Sequence, residues 1–317
     1  MERIARIFKQ LGHPDRLRIL AALRHGELTV SELTQVLALS QPRVTQYIGS
    51  LEDAGIIERL REGSWVFVRL RRGAGSPRAL LYEALSLLGE ADVVIAQDRE
   101  RLERVRAARA SAAEGFFADV ANNRGQLSHD FLPVAPIETA LLQAAGEGPF
   151  SRMVDLGTGS GRMLALFAER VERGTGIDSS ADMLRVARHT LAGRGHITVQ
   201  LGDVGATDLE SGQADLLTLH HVLHYLDDPD TALAEAARLL APGGTLLVAD
   251  FAEHDRDAFR DRYAHRRLGF SADEISERLR ALGFGLVETS LVSGQGDAPD
   301  VIIWQARAAA PAHRSAA

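Results

Sequence analysis

From residue 153 onward the chain alternates short apolar strands with amphipathic helices, and this alternation restricts the fold more than any other feature. The predicted strands are 153–156, 174–177, 197–201, 216–219 and 245–249. Strands that alternate with helices pair in parallel, and the helices cover both faces of the sheet. Two later strands, 285–291 and 301–306, are close enough in sequence to form a hairpin. The pattern predicts a Rossmann-like α/β domain.

The first 70 residues predict a smaller and different fold. Helical patterns over 3–25 precede a short helix that begins with a capping box of Thr29 and Glu32. A three-residue connection, 38–40, leads into another helix, which Ser40 is expected to cap. Two alternating strands, 56–61 and 65–70, are predicted to turn at 62–63. This order of elements is that of a winged helix–turn–helix, in an α/β multidomain chain.

A winged helix–turn–helix reads DNA with the N-terminal side chains of its second helix, which enters the major groove. Arg43 can pair with guanine and Gln46 with adenine. Arg59 and Arg69, beside the wing, are expected to reach phosphates or the minor groove. The candidate DNA-binding residues are Gln41, Pro42, Arg43, Thr45, Gln46 and Tyr47 in the helix, with Arg61, Ser64 and Trp65 in the wing.

The distribution of charge agrees with a polyanion partner for the N-terminal part alone. Residues 1–77 hold 12 basic and 8 acidic side chains, whereas the rest of this chain of net charge −7 holds 24 and 35. A basic segment on an acidic chain is typical of nucleic-acid binding. A chance fluctuation of this size remains the alternative.

Several classes of function are excluded or disfavoured by composition. The chain has no cysteine, so disulfides, thiolate metal sites and cysteine nucleophiles are excluded, and cytosine-C5 DNA methylation with them. It has no apolar run of the ~20 residues that a membrane span needs, so no membrane partner is expected. Its N-terminus mixes charges at helical spacing instead of forming a signal peptide. A cytoplasmic protein is predicted.

Several separate blocks of the N-terminal part resemble the ArsR family of repressors. These blocks are 13–20, 27–33, 39–44 and 61–66, and the resemblance covers about residues 1–72. It implies a homodimer that binds an inverted-repeat operator in double-stranded DNA. A helix–turn–helix used only for protein contacts is the alternative. The metal-responsive members of this family bind metal through cysteines, or through histidines after the wing. This chain has no cysteine and no histidine between His25 and His129, so no metal is expected.

A glycine-rich turn gives the second part its strongest chemical motif. The motif is Val154-Asp155-Leu156-Gly157-Thr158-Gly159-Ser160-Gly161-Arg162. Glycines let the backbone approach a ligand closely and present its N–H groups. The second predicted strand runs into Asp178, the third is followed by Asp203, and the fourth runs into His220. Ligands of such sheets bind at the carboxyl ends of the parallel strands, where all three residues are expected.

Together these motifs resemble class I S-adenosylmethionine-dependent methyltransferases over about residues 146–308. By that resemblance Asp155 and residues 157–161 would hold the methionine moiety, and Asp178 would bind the ribose. The candidate cofactor-binding residues are Asp155, Gly157, Thr158, Gly159, Gly161, Asp178, Ser179, Met183, Gly202, Asp203, Val204 and His220, with Met183 on the adenine ring and Asp203 and Val204 at its edge. A nucleotide fold with an empty pocket is the alternative.

Two clusters after the fourth strand have more than one interpretation. His220, His221 and His224 are close enough in sequence to suggest a metal site, but adjacent residues do not face the same way, and His220 as part of the pocket wall is favoured. The cluster 265–267, His-Arg-Arg, either covers the pocket or forms a solvated loop, and the loop is the slightly favoured interpretation.

The whole chain resembles ArsR-type regulators that carry a methyltransferase-like domain, some of which respond to S-adenosylhomocysteine and control methionine-cycle genes. The predicted domains are 1–72, a helical linker, dimerisation and lid segment at 73–145, 146–308, and a tail at 309–317. The segment Phe116–Ala121 matches this group, although Arg124 stands where a tryptophan is usual. The effector is predicted to be S-adenosylhomocysteine or S-adenosylmethionine. An active small-molecule methyltransferase is the alternative; no motif of amino-group DNA methyltransferases follows the fourth strand.

Overall fold

A computed structural model describes residues 1–24, 26–71, 75–88, 92–122, 134–296 and 298–309. The chain divides into two compact units, Met1–Ala112 and Ala113–Ala317. Among the described residues, no helix is both long and apolar enough to cross a membrane. The predicted helix break near Gly89, the position of Arg124, residues 72–74 of the hinge and residues 310–317 of the tail lie outside the described residues. The four-part domain division stays a prediction.

The described residues of the first unit form five helices, a three-stranded sheet and the start of a sixth helix. The helices are α1 (Glu2–Leu11), α2 (Pro14–Leu23), α3 (Val30–Leu37), α4 (Gln41–Asp53), α5 (Arg78–Ser86) and α6 (Val93–Asn122), which continues into the second unit. The strands are β1 (Leu28–Thr29), β2 (Ile57–Glu62) and β3 (Trp65–Leu70), all antiparallel in the order β1-β3-β2. The predicted winged helix–turn–helix is confirmed.

Local sequence signals explain where α3 and α4 begin, with one exception. The Thr29 hydroxyl accepts a hydrogen bond from the Glu32 backbone N–H, and the Glu32 carboxylate accepts one from the Thr29 N–H, so the predicted capping box is present. Ser40 occupies the N-cap position of α4, but its side chain makes no capping hydrogen bond. The wing turns at 63–64 rather than 62–63, because Glu62 still pairs with Trp65 across the hairpin.

A chain of ion pairs in the first unit connects the start of α6 with α4. The Arg18 guanidinium donates two hydrogen bonds to the buried Asp98 carboxylate, at 2.7 and 2.9 Å, and a third, at 2.9 Å, to Asp15. The other Asp15 oxygen accepts from Arg43 at 2.8 Å and from the Tyr47 hydroxyl at 3.1 Å. Three side chains from two helices therefore depend on how α2 places Asp15 and Arg18.

The second unit contains a seven-stranded mixed sheet with helices around it. Its helices are α7 (Val134–Ala145), α8 (Arg162–Phe167), α9 (Ala181–Thr190), α10 (Pro229–Leu239), α11 (Ala258–Tyr263) and α12 (Ala272–Ala281). Its strands are β4 (Phe150–Leu156), β5 (Val171–Asp178), β6 (Ile197–Leu201), β7 (Ala214–His220), β8 (Leu240–Phe251), β9 (Phe284–Val292) and β10 (Val301–Ala308), in the order β6-β5-β4-β7-β8-β10-β9.

The first five strands of this sheet are parallel, and β10 is antiparallel to both its neighbours. The predicted α/β fold and the late hairpin are confirmed. Most strands extend beyond the predicted apolar runs, because ladder pairing continues past them: β8 still pairs Phe251 with Val301. Separate apolar clusters lie around the sheet, one built on Leu217, Val248 and Trp304, and another on Phe167 and Leu216.

The Arg18–Asp98 pair is expected to stabilise the first unit. Both side chains are largely buried, and removal of Arg18 leaves the Asp98 carboxylate paired with the more exposed Arg101, at 3.1 Å, which costs about 3 kcal/mol. Arg18→Ala should lower the free energy of unfolding of this unit by that amount in urea titrations followed by circular dichroism. Arg104→Ala is the matched control, because the Arg104–Glu100 pair is exposed and contributes at most about 1 kcal/mol. Equal effects of the two substitutions would contradict this assignment.

Candidate functional site

The glycine turn after β4 is held against the end of β5 by backbone hydrogen bonds. The N–H groups of Gly157 and Thr158 both donate to the Ile177 carbonyl, at 2.8 and 2.9 Å. Gly157 has a φ of 75°, and a Cβ placed there would lie 2.3 Å from a methyl carbon of Val222. Only glycine fits this close approach of the backbone, so the turn leaves its surface open beside the strand ends.

Asp178 connects the glycine turn with the start of α9. One of its carboxylate oxygens accepts a hydrogen bond from the Gly159 N–H at 2.7 Å, and the other accepts from the Ser180 N–H at 2.8 Å. Burial raises the pKa of Asp178, although these backbone hydrogen bonds oppose the shift. Its carboxylate is thus fixed in place before any ligand is bound, and it keeps lone pairs for ligand hydroxyls.

Asp155 is almost completely buried at the end of β4. The Thr218 hydroxyl donates to one of its carboxylate oxygens at 2.6 Å, and the other oxygen has no hydrogen-bond partner. Burial raises the pKa of Asp155 to about 6. A buried acceptor without a partner is rare in folded proteins, and the candidate donors here are the buried Thr158 hydroxyl, which influences the pKa of Asp155, and a bound ligand.

One pocket brings most of the predicted cofactor-binding residues together. Its lining includes Asp155, Gly157, Thr158, Gly159, Asp178, Ser179, Met183, Val204 and His220. Gly161, Gly202 and Asp203 are not part of it. Gly161 is the N-cap of α8, the Gly202 N–H donates to the Asp178 carbonyl, and the Asp203 carboxylate accepts from the Gly205 N–H at 2.8 Å.

The other end of the pocket is aromatic, and sequence reasoning found only part of it. The lining there comprises Phe116, Phe117, Tyr225, Phe251, Tyr263 and His265. Phe116 and Phe117 belong to the segment 116–121 that the sequence analysis singled out. Tyr225, Phe251 and Tyr263 were missed, because single aromatic residues in apolar segments are indistinguishable from core residues. The empty volume of the whole pocket is about 1370 Å³, including space open to solvent.

A group of imidazoles surrounds the Asp250 carboxylate beside this aromatic end. His224 Nδ1 lies 2.6 Å from an Asp250 oxygen, while His224 Nε2 and both ring nitrogens of His221 are buried without hydrogen-bond partners. Three atoms that could coordinate a metal ion all lie within 4.8 Å of one another: one ring nitrogen each of His221 and His224, and one carboxylate oxygen of Asp250. Burial lowers the pKa of His221, His224 and His265 well below the usual range. All three imidazoles are therefore neutral at pH 7.

The cluster 265–267 is buried, so its interpretation as a solvated loop was wrong. Arg266 pairs with Asp227 at 3.0 Å, and Arg267 with Glu274 at 3.4 Å. The backbone N–H groups of Arg266 and Arg267 both donate to the His224 carbonyl at 3.0 Å. The cluster thus fixes one side of the pocket.

The predicted DNA-binding residues lie on one side of α4 and at the tip of the wing. Val44, Ile48 and Leu51 are buried on the other side of this helix, whereas eight of the nine predicted DNA-binding residues are exposed. The exposed residues are Gln41, Pro42, Arg43, Thr45 and Gln46 on α4, and Arg61, Ser64 and Trp65 in the wing, while Tyr47 is half-buried.

Ion pairs within the first unit engage several of the arginines predicted to contact DNA. Arg69 is largely buried and pairs with Glu27 and Glu58, so its predicted phosphate contact was wrong. Arg59 pairs with Glu52. Arg43 is exposed but already bonded to Asp15 and Tyr47, so a base contact would require it to exchange partners.

Comparison with known proteins assigns the first unit. Residues 13–59 match the family model for bacterial regulatory proteins of the arsR family. The biofilm growth-associated repressor of Agrobacterium fabrum is 40% identical over 82 residues, which cover 26% of this chain and 68% of that protein. The chain belongs to the ArsR family of bacterial regulatory proteins.

The second unit of this ArsR-family chain has the fold of methyltransferases. Residues 154–248 match the methyltransferase domain model. The ubiquinone/menaquinone biosynthesis C-methyltransferase of Shewanella piezotolerans is 30% identical over 128 residues, 38% of this chain and 51% of that protein. The N-methyltransferase NodS of Bradyrhizobium japonicum, solved with S-adenosylhomocysteine, superposes with a TM-score of 0.52 at 24% identity, over 62% of this chain and 97% of that one. The chain covers 34 to 68% of the length of the first three curated relatives.

The buried Asp155 carboxylate is expected to make stability depend on pH. Because the pKa of Asp155 is raised to about 6 in the folded state, the unfolded chain loses this proton at a lower pH than the folded chain does. At pH 7 the buried carboxylate is ionised, and this destabilises the fold. This penalty disappears as the pH falls from 6 to below 4. We therefore compare the free energies of unfolding of the wild type and of Asp155→Asn. Their difference, wild type minus variant, should rise by up to about 3 kcal/mol as the pH is lowered from 7 to 4.

The difference between the two proteins cancels the opposing titration of the buried histidines, which is common to both. Urea titrations at each pH measure it. A difference that does not change with pH would contradict the raised pKa, and one that falls on acidification would reverse its sign.

Proposed function

We propose that the chain is a homodimeric DNA-binding transcription regulator whose methyltransferase-fold unit binds S-adenosylhomocysteine or S-adenosylmethionine as an effector, and that it controls methionine-cycle genes. The observation that carries this proposal is the coexistence, in one chain, of an ArsR-type winged helix–turn–helix and a pocket at the strand ends of a methyltransferase fold. The predicted division into domains and the cytoplasmic location are retained as part of the proposal.

The residues of the pocket fit an adenosyl ligand. The buried Asp155 oxygen without a partner can accept a hydrogen bond from the ligand's ammonium group, and the fixed Asp178 carboxylate can accept from ribose hydroxyls. Met183 is buried at the start of α9, against Val120, where it offers an apolar surface to a flat base. The glycine turn admits the ligand because no side chain projects at Gly157.

The surface of the first unit fits double-stranded DNA. The exposed side of α4 presents amides, a hydroxyl and a guanidinium, the groups that read base edges in the major groove. The wing tip places Arg61 and Trp65 at an exposed turn, where phosphate contacts are typical. We retain all nine predicted residues as the proposed interface, with Arg43 exchanging Asp15 for a base on binding.

One helix offers a structural connection between the effector and the DNA-binding residues. α6 carries Asp98, which holds Arg18, and also Phe116 and Phe117, which line the pocket. Arg18 in turn bonds Asp15, the partner of Arg43 and Tyr47 in α4. A change in α6 on ligand binding would alter the state of Asp15 and so the availability of Arg43. A full switch between 1:99 and 99:1 needs about 5.5 kcal/mol of differential ligand affinity.

Exposed apolar side chains support a dimer through α1 and the helices after residue 77. Ile4 and Phe8 are more than half exposed and lie one turn apart on α1, and Leu87 and Val93 are exposed to a similar or greater extent. Apolar pairs at this spacing are typical of helix–helix interfaces.

A small-molecule methyltransferase is the second candidate. The observation that favours it is the aromatic end of the pocket, which extends beyond the residues assigned to the adenosyl ligand. Transfer of the labelled methyl group from S-adenosylmethionine to a small acceptor would support this candidate.

The central test measures coupling between ligand and DNA. The operator is first selected by the protein from a pool of random duplexes, and its affinity is then measured with and without saturating S-adenosylhomocysteine or S-adenosylmethionine. We expect one ligand to change the operator affinity at least tenfold, within the usual range of allosteric coupling. Gly157→Ala should weaken ligand binding at least tenfold in calorimetry, because its Cβ would overlap Val222.

Gly195→Ala is the control for this substitution, since a Cβ there meets no atom within 4 Å. It should leave both affinities unchanged. An operator affinity that neither ligand alters would reject the sensor proposal, whereas ligand binding without coupling, accompanied by methyl transfer, would favour the enzyme.

Dimerisation is tested by Phe8→Glu. A carboxylate in place of this exposed ring should oppose burial in an apolar interface and shift the protein from dimer to monomer in sedimentation velocity runs. Glu2→Gln, on the same helix, should leave the dimer intact. A wild type that stays monomeric at all concentrations, or a Phe8→Glu protein that stays dimeric, would remove α1 from the proposed interface.

A further inference from the structure

The aromatic end of the pocket has the shape and polarity of a site for a second, flat ligand. The rings of Phe117 and Tyr225 lie 5.0 Å apart, and those of Tyr225 and His265 lie 5.4 Å apart, both in edge-to-face arrangements. Such ring edges and faces favour a planar aromatic guest. The pocket lining contains one arginine, Arg162, and it pairs with Glu138. A ligand that enters as a neutral molecule fits this end better than an anion.

His224 and Asp250 form a fixed dyad at this end. The His224 Nδ1 lies 2.6 Å from one Asp250 oxygen, and the His224 backbone N–H donates to the other at 3.3 Å. The Phe251 N–H also donates to Asp250, at 2.8 Å. On the opposite side, the His224 carbonyl accepts the N–H groups of residues 266 and 267. The Asp250 contact therefore orients the imidazole, and the carbonyl bonds hold the backbone that carries it.

The charge state of the dyad gives His224 a free lone pair. Burial raises the pKa of Asp250 to about 6, so this carboxylate is ionised at pH 7 and accepts from Nδ1–H. Burial lowers the pKa of His224 well below its usual range, so Nε2 carries no proton. This nitrogen is buried, has no hydrogen-bond partner and belongs to a residue that lines the pocket. A carboxylate that fixes the histidine tautomer in this way is the arrangement of a proton acceptor.

His221 supplies the complementary donor. Its backbone has a φ of 55°, a strained conformation for a residue other than glycine, and neither ring nitrogen has a partner. The ring centroids of His221 and His224 are 6.0 Å apart in an edge-to-face arrangement. One oxygen atom can bridge nitrogens of two neighbouring rings with two hydrogen bonds of about 2.8 Å. A ligand oxygen between them would satisfy both rings.

A metal ion fits the same residues less well. Tetrahedral zinc with nitrogen ligands at about 2.05 Å places those ligand atoms about 3.3 Å apart. Here the atoms are separated by up to 4.8 Å, and the shortest separation, 2.6 Å between His224 and Asp250, is already a hydrogen bond. Coordination would require this bond to break and Asp250 to give up N–H partners.

We propose that the aromatic end of the pocket is a second binding site for a small phenol, and that His224 Nε2 accepts the proton of its hydroxyl group. The O–H bond breaks and an N–H bond forms. The phenolate oxygen then accepts from His221, and the new imidazolium lies between phenolate and Asp250, whose two negative charges offset the burial that lowers the pKa of His224 in the empty site. No other bond changes, and the net charge of the group is the same before and after. The site does not depend on whether an adenosyl ligand regulates DNA binding.

The experiment uses 4-nitrophenol, whose phenolate absorbs visible light and whose neutral form does not. The full chain, saturated with S-adenosylhomocysteine, is titrated at a pH at which the free probe is mostly protonated. We expect a phenolate band that saturates at one probe per chain. His224→Gln should reduce the bound phenolate at least tenfold, and Asp250→Asn should reduce it as well. His189→Gln, the same substitution at an exposed histidine, should leave the band unchanged.

A second measurement on the wild type covers the case in which the variants do not fold. 4-Nitroanisole has the same ring but no proton to donate, and it should bind at least tenfold more weakly than 4-nitrophenol. Equal affinities, binding without a phenolate band, no binding, or an unchanged band in His224→Gln would each overturn the proposal. Stoichiometric zinc, retained by the wild type and lost in His224→Gln, would assign a metal site instead. Failure of ligand–DNA coupling would leave these outcomes unaffected.

Discussion

The parallel pairing of β4 with β5 on one side and with β7 on the other determines where the second unit can bind a ligand. Leu156 pairs with Ile177 and Asp155 with Thr218, so the three strands end at one edge of the sheet. That edge receives the glycine turn, the Asp178 carboxylate and the histidines after β7. The same pairing forces Gly157 against Val222, which only a glycine tolerates. Register in the sheet is therefore the common cause of the open backbone surface and of the buried polar groups around it.

Residues that are close in sequence could be assigned from the sequence, and residues whose partners are distant could not. The glycine turn, the capping box of α3 and the buried stripe of α4 are local patterns, and the structure contains all three. Arg69 was misassigned because its partner Glu27 lies 42 residues earlier, and the cluster 265–267 because its partners lie in other elements. Asp250 was not singled out at all, since it follows an apolar run and reveals its role only through His224.

The pocket has two ends of different electrostatic character, and this difference separates the roles that each can have. Asp155 and Asp178 place carboxylates at the glycine turn, where an ammonium group or ribose hydroxyls would be stabilised. His221 and His265, at the other end, are kept neutral by burial. An aromatic molecule can enter that end without displacing the hydration of a charge, because neither imidazole carries one at pH 7.

The neutral imidazoles also bear on the choice between the two adenosyl ligands. S-Adenosylmethionine and S-adenosylhomocysteine share the ammonium and ribose groups that the carboxylates would bind, and differ by one methyl group and the sulfonium charge. Protonated histidines beside the sulfur would repel the sulfonium, whereas neutral ones do not. The carboxylate end would therefore bind what the ligands have in common, and the neutral imidazoles leave both ligands admissible. A preference between them would come from contacts with the methyl group and from the attraction of nearby carboxylates for the sulfonium charge.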